Sequence, residues 1–196
     1  MKENPATLVK PPKVNNMLVR YLTAEQESTL LERLPLQYRP VVQIAINTGL
    51  RQGELLQLTW RDIDWNAGIL TVQETKAGDK RRMPMNSTVL GVLTSLREGC
   101  TIQPTNHVFP HGARYLRRAF ERAVRAAGLV PFRFHDLRHI FASRLAMQGA
   151  NDRTLMALGG WKSPAMLTRY AHLSPAHLFH AVEGLTRMGT APKPVT

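Results

Sequence analysis

The sequence predicts a mostly helical fold with one small antiparallel β-sheet or hairpin. Apolar residues recur at helical spacing through most of the chain, between residues that cap and stop helices. A single stretch, from Gly68 to Pro84, instead reads as two extended runs around a Gly-Asp turn. Hydrophobic residues make up 43% of the 196 positions, enough to bury a core despite the high charge.

Residues 1–20 carry Pro5, Pro11 and Pro12 among polar residues without periodicity and read as a tail or linker. Thr23 with Gln26 makes a capping box, and Leu30, Leu31 and Leu34 give the first helix its stripe before Pro35 stops it. A second helix, Arg39 to Asn47, holds Val41, Val42, Ile44, Ala45 and Ile46, with Gly49 as its C-cap; this density of apolar residues predicts burial on most sides. A short helix follows at Gly53–Leu58. The hairpin comes next, Gly68–Thr75 and Arg81–Met85, with Lys76-Ala-Gly-Asp-Lys80 as its turn.

The remainder reads as helical. Ala113–Ala127 puts Leu116, Phe120, Val124 and Ala127 on one stripe and five arginines around it, and Gly128 ends it. Phe134–Gln148 is stopped by Gly149, and Asn151 or Asp152 caps the short helix beyond. Ser163-Pro164 and Ser174-Pro175 each pair an N-cap residue with proline at the first helical position, so Tyr170 falls late in a short helix. Pro175–Arg187 is amphipathic through Leu178, Val182 and Leu185, and residues 188–196 read as a disordered tail.

The 26 Lys and Arg against 14 Asp and Glu give a formal charge of +12, unevenly placed. Residues 1–100 hold 13 basic and 10 acidic side chains, residues 101–196 hold 13 and 4. Clustered cations gain affinity for polyanions by releasing counterions from phosphates, so nucleic acid is the leading partner class and the second half the expected contact face. No apolar run reaches the length of a membrane span, and residues 1–13 do not resemble a signal peptide. The lone Cys100 excludes an internal disulfide and the usual thiolate zinc sites, which points to a reducing, intracellular setting.

Three motifs carry candidate chemistry. In Thr48-Gly-Leu-Arg51-Gln-Gly-Glu54-Leu, a guanidinium in apolar company needs an anion, and by itself Arg51 is equally an internal pair with Glu54 three residues on. In His135-Asp136-Leu137-Arg138-His139, helical spacing puts His135 and Arg138 on one face, where both could meet a phosphate. His135 and His139 also stand at the spacing of a zinc-binding helix. That motif needs a third ligand and a glutamate in place of Asp136, so no metal is expected. In Gly159-Gly160-Trp161 and Tyr170-Ala171-His172, an indole offers one donor, and a tyrosine hydroxyl becomes a nucleophile where cations help it ionise; singly, both aromatics read as core residues.

Taken together and in order, Thr-Gly-Leu-Arg-x-Gly-Glu-Leu, Lys76 at the hairpin turn, His-x-x-Arg, Gly-Gly-Trp and Arg-Tyr-Ala-His resemble the tyrosine recombinase, or phage integrase, family over residues 21–187, that family's catalytic domain. The resemblance implies that Arg51 and Arg138 clamp the scissile phosphate and that Tyr170 attacks it, leaving a 3′-phosphotyrosyl link and a free 5′-hydroxyl. It implies that Lys76 protonates the departing oxygen, that His135 assists proton transfer, and that Glu54 braces Arg51. No cofactor is implied. Trp161 stands where histidine is commoner in the family; its indole can donate to phosphate but cannot exchange a proton, and its ring would seat the segment carrying Tyr170.

Arg114, Arg117, Arg118, Arg122 and Arg125 are the expected DNA contacts of the basic helix. The implied partner is double-stranded DNA, with a homo-tetramer assembled on it and the helix after Pro175 packing onto a neighbouring protomer. Longer family members carry a DNA-clamping domain before the catalytic one, and residues 1–20 resemble the linker between them. The chain therefore reads as the catalytic part of an integrase that rejoins strands of prophage or other mobile DNA. Topoisomerase-like relaxation, and a DNA-binding fragment that does not recombine, are the alternatives.

Overall fold

The structure, a computed structural model, describes residues 22–73, 80–98 and 101–173. Lys76 and the hairpin turn, Cys100, the N-terminal linker and the segment after Leu173, including Leu178, Val182 and Leu185, lie outside them.

Seven α-helices are present among the described residues, six of them where the sequence predicts a helix; the one at Ser87–Arg97 is not predicted. Helix α1, Ala24–Arg33, starts with the capping box: the Thr23 hydroxyl accepts from the Gln26 N–H while the Gln26 side chain accepts from the Thr23 N–H at 3.0 Å. A 3₁₀ turn, Leu36–Tyr38, leads into α2, Arg39–Thr48, which is buried at six of its ten positions and ends on Gly49 at φ 64°. Helix α2 is the centre of the domain, packed against α1, against α4 (Ser87–Arg97) and against α6 (Asp136–Met147). Helices α3, Gln52–Gln57, and α5, Ala113–Ala126, lie side by side, and α7, Asp152–Gly159, is capped by Asn151, whose side chain accepts from Thr154 N–H.

The hairpin is β2, Ile69–Gln73, paired antiparallel with β3, Lys80–Pro84. A third strand, β1, Ile63–Asp64, extends the sheet in the order β1-β2-β3. Two residues are too few to show a period of two, so the sequence gives no sign of it. Along β3, Arg81 and Met83 turn to the core and Lys80 and Arg82 to solvent.

Two expected features differ. The sixth helix begins at Asp136, with His135 as its N-cap, because the Asp136 carboxylate turns back to accept from Arg133 N–H at 2.7 Å. Tyr170 sits in a 3₁₀ stretch, Thr168–Leu173, that follows a second 3₁₀ turn at Pro164–Met166. Pro164 does occupy the first position of its turn, but the Ser163 side chain makes no cap bond.

Candidate active site

The site forms where the ends of several elements meet: the C-cap of α2, the start of α3, the inner face of β3, the first turn of α6, the end of α7 and the 3₁₀ stretch after it. At its centre is Arg138, 3% exposed. Its Nη1 donates to the Gly49 carbonyl at 2.8 Å and its Nη2 to the Gly159 carbonyl. The guanidinium also lies over the Trp161 ring, 4.1 Å from the centroid. One buried side chain thus joins the ends of α2 and α7 and stacks on the residue after them.

The glycines flanking it are explained by the same packing. Gly49 is left-handed, and a Cβ there would overlap the Phe141 ring. A Cβ on Gly159 would overlap the Trp161 ring, and Gly160, at φ 66°, supplies the left-handed turn that ends α7. The Gly-Gly pair therefore brings the indole back onto Arg138.

Arg51 stands at the N-cap of α3, where its side chain is 45% exposed. The Glu54 carboxylate, 8% exposed, accepts from the Arg51 backbone N–H at 2.8 Å and from Arg51 Nη1 at 2.7 Å. The other oxygen of the ion pair also accepts from Arg81 Nη2 at 3.0 Å, with Arg81 likewise buried. Burial raises the Glu54 pKa, but the Arg51 N–H and the two guanidiniums outweigh it and hold the carboxyl below its ordinary value. Arg51 and Glu54 are therefore the internal pair that the spacing allowed. Arg81 was missed by the sequence reading, although the alternation of β3 places it inward beside Met83. Its Nε and Nη1 have no hydrogen-bond partner among the described residues.

Charge in this cluster is out of balance. Three guanidiniums, Arg51, Arg81 and Arg138, surround one carboxylate, Glu54. Burial and the nearby Arg51 and Arg81 push the Arg138 pKa down to about 10. A group that stays cationic at neutral pH under that pressure favours an incoming anion.

Tyr170 is 1% exposed, packed at 6.1 Å edge-on against Trp161. Its hydroxyl is hydrogen-bonded with His139 Nδ1. Burial pushes the phenol up to about 12, against the opposing pull of Arg169 and Arg138. His139 is half-buried and pushed down to about 4, first by burial and then by His135 and Arg169. More of the His135 surface is exposed, but its ring stands edge-to-face with His139 at 5.3 Å, and partial desolvation there, then the charge of Arg138, lower it too.

The structure thus brings Arg51, Glu54, His135, Arg138, Trp161 and Tyr170 together, with His139 and Arg81 added. The residue against the tyrosine hydroxyl is His139, not His135. In the sequence His139 stands out only by its metal-ligand spacing from His135. The exposed arginines of α5 form a separate surface joined to the site at one end, where Gln52 donates to the Ala113 carbonyl at 3.3 Å. Arg114, Arg118, Arg122 and Arg125 share one stripe with Tyr115, and Arg118, Arg122 and Arg125 line a recess with Tyr38, Tyr115 and Glu121. Arg117 is set apart from that stripe by its 2.9 Å ion pair with Glu121.

The fold is that of tyrosine recombinase catalytic domains: the catalytic domain of bacteriophage HP1 integrase superposes with a TM-score of 0.66 at 26% identity, covering 85% of this chain and 95% of that one. Residues 20–177 match the phage integrase family, and the chain belongs to that family. The integrase of Salmonella phage P22 is 30% identical over 191 residues, spanning 88% of this chain and 49% of its own length. The shufflon-specific DNA recombinase of Escherichia coli is 30% identical over 190 residues, 95% of this chain and 48% of its own length. The chain therefore spans about half the length of these relatives. Among the described residues no helix is long and apolar enough to cross a membrane, and no cluster of three metal-ligating side chains occurs.

Proposed function

We propose that this chain is the catalytic domain of a site-specific DNA recombinase, which cuts and rejoins DNA strands through a covalent bond to Tyr170. The observation that carries the reading is the excess of positive charge at the buried Arg81 and Arg138 and the partly exposed Arg51, beside a tyrosine and two imidazoles whose pKa values are lowered. Such a cluster suits a phosphodiester, whose non-bridging oxygens accept from planar guanidiniums and gain charge in the transition state. Arg51 meets the phosphate from the solvent side with the donors that Glu54 leaves over. Arg138, already fixed by two carbonyls, keeps three N–H groups for an oxygen that enters the site.

Tyr170 Oη forms a bond to phosphorus, the bond to the 5′-oxygen breaks, and Lys76 gives that oxygen its proton. Glu54 holds Arg51 in place, and Trp161 keeps Arg138 flat and packs Tyr170. The α5 stripe tracks the duplex away from the cut, four protomers assemble on the paired sites, and the chemistry uses no cofactor. These assignments follow the family together with the arrangement of the side chains.

The test is a nicked suicide duplex carrying a candidate attachment site, incubated with the chain at low salt and run on a denaturing gel. A DNA-linked protein band from wild type that is missing from Tyr170→Phe is expected. Retained DNA binding with no band from either protein would overturn the catalytic reading and leave a DNA-binding fragment.

A further inference from the structure

We infer that His139 is the group that holds the Tyr170 hydroxyl and takes its proton as the bond to phosphorus forms. The inference rests on the reading of Tyr170 as nucleophile, and it moves the tyrosine-side proton from His135 to His139.

Geometry carries it. His139 Nδ1 is at hydrogen-bond distance from Tyr170 Oη, and the two rings lie 6.0 Å apart at 42°, so the imidazole edge points at the hydroxyl. Among the described residues no other side chain is hydrogen-bonded to that hydroxyl. The His135 ring stands edge-on against His139 at 5.3 Å. Both partners come from rigid surroundings. His139 is one residue past Arg138, whose guanidinium is fixed at two carbonyls, and Tyr170 is wedged by Trp161.

The direction of the hydrogen bond follows from charge. Among the described residues His139 lies beside His135, Arg138 and Arg169, whose charges together with burial outweigh that of Asp136, so its ring is neutral at pH 7. A neutral imidazole has one nitrogen with a free lone pair. The buried phenol keeps its proton, so Tyr170 donates and Nδ1 accepts, which places the remaining proton of His139 on Nε2. In the resting site the proton stays on oxygen. When a phosphate dianion-like transition state builds beside the ring, an imidazolium is stabilised and the phenol oxygen loses its hold on the proton as it bonds to phosphorus. The step balances: the O–P bond forms, the proton passes from Oη to Nδ1, and the 5′-oxygen leaves with a proton from Lys76. On rejoining, the 5′-hydroxyl attacks and returns its proton to Lys76, the bond from phosphorus to Tyr170 Oη breaks, and Tyr170 leaves with the proton returned from His139.

The experiment compares wild type, His139→Asn and His139→Phe on the suicide duplex and on one with sulfur in place of the departing 5′-oxygen, which leaves without a proton. Asparagine keeps an acceptor near the Nδ1 position but cannot carry a proton. Both variants are expected to form the tyrosyl adduct about 10²-fold more slowly or worse on either duplex. Lys76→Ala is expected to recover on the sulfur duplex alone. His139→Asn cutting at the wild-type rate, or recovering with the sulfur leaving group, would overturn the inference. A second readout needs no cutting: ¹⁵N spectra of the labelled imidazoles, in wild type and Tyr170→Phe. Nδ1 of His139 is expected in the unprotonated, hydrogen-bonded range and to move on loss of the hydroxyl; an unmoved signal would refute the pair. Absence of adduct from wild type, with the ¹⁵N shift present, would defeat the recombinase reading for this chain while leaving the Tyr170–His139 contact standing.

Discussion

Arg138 has to satisfy two backbone carbonyls before it can serve any substrate, and this sets what its loss would do. Arg138→Ala removes the donor of the Gly49 and Gly159 carbonyls at a buried position and the stacking partner of Trp161. A destabilisation of about 2–5 kcal/mol is expected from two unsatisfied acceptors, measured by urea unfolding. Arg138→Lys should recover little of it, since a single ammonium lacks the fork that spans both carbonyls. A lost activity at this position therefore has to be read beside stability. His139 gives a second, pH-dependent signature at the same scale. Its folded pKa of about 4 lies below the ordinary imidazole value of 6.5, so the unfolded chain takes up a proton that the native site refuses. Its contribution is present above pH 6.5 and is lost as pH falls toward 4, by up to about 3 kcal/mol; His135, also lowered, acts with the same sign. Urea midpoints recorded from pH 7.5 to 4 should drop in that window, and His139→Asn should flatten the drop. An identical slope in the variant would mean that other groups control the acid limb.

Among the elements, α5 and α7 show how a motif divides its work. The five arginines of α5 are alike in sequence, but Arg117 spends its charge on Glu121 while Arg114, Arg118, Arg122 and Arg125 share the stripe with Tyr115. Arg118→Ala should weaken DNA binding more than Arg117→Ala, and only the former should lower the steepness of the salt dependence, by about one unit in log K against log salt. Equal effects would show that the pair with Glu121 opens on DNA. At the end of α7 the two glycines fail for different reasons. Gly159→Ala pushes a methyl into the Trp161 ring, whereas Gly160→Ala strains a left-handed turn. Both should lower the unfolding midpoint, but Gly159→Ala alone should raise the indole's fluorescence exposure to quencher, because it displaces Trp161 from Arg138.

For the whole molecule, legibility follows the range of the interactions. Helices α1, α2, α5 and α7 could be read because caps, glycine stops and apolar stripes are local, and the hairpin could be read because β2 and β3 are long enough to alternate. Strand β1 could not, being held by pairing with Leu70 and Ile69 rather than by its own two residues. The convergence of Arg51, Glu54 and Arg138 was legible as motif order. Arg81 and His139 were not, since nothing in their own neighbourhoods says that the hairpin folds Arg81 onto Glu54, or that a 3₁₀ stretch brings Tyr170 back over the sixth helix. The uneven charge, by contrast, is a property of composition, and the fold concentrates part of it. If the α5 stripe and the Arg51–Arg138 cluster act as one polyanion surface, roughly five phosphates are neutralised, and the affinity for a nonspecific duplex should fall with a log–log salt slope of about −4 to −5. Changing Arg114, Arg118, Arg122 and Arg125 together to glutamine should remove about 3.6 of that slope while leaving urea stability within about 0.5 kcal/mol, because these side chains are exposed. A slope unchanged by the fourfold substitution would place the duplex on another face, and the basic helix would then have to be assigned to contacts between protomers.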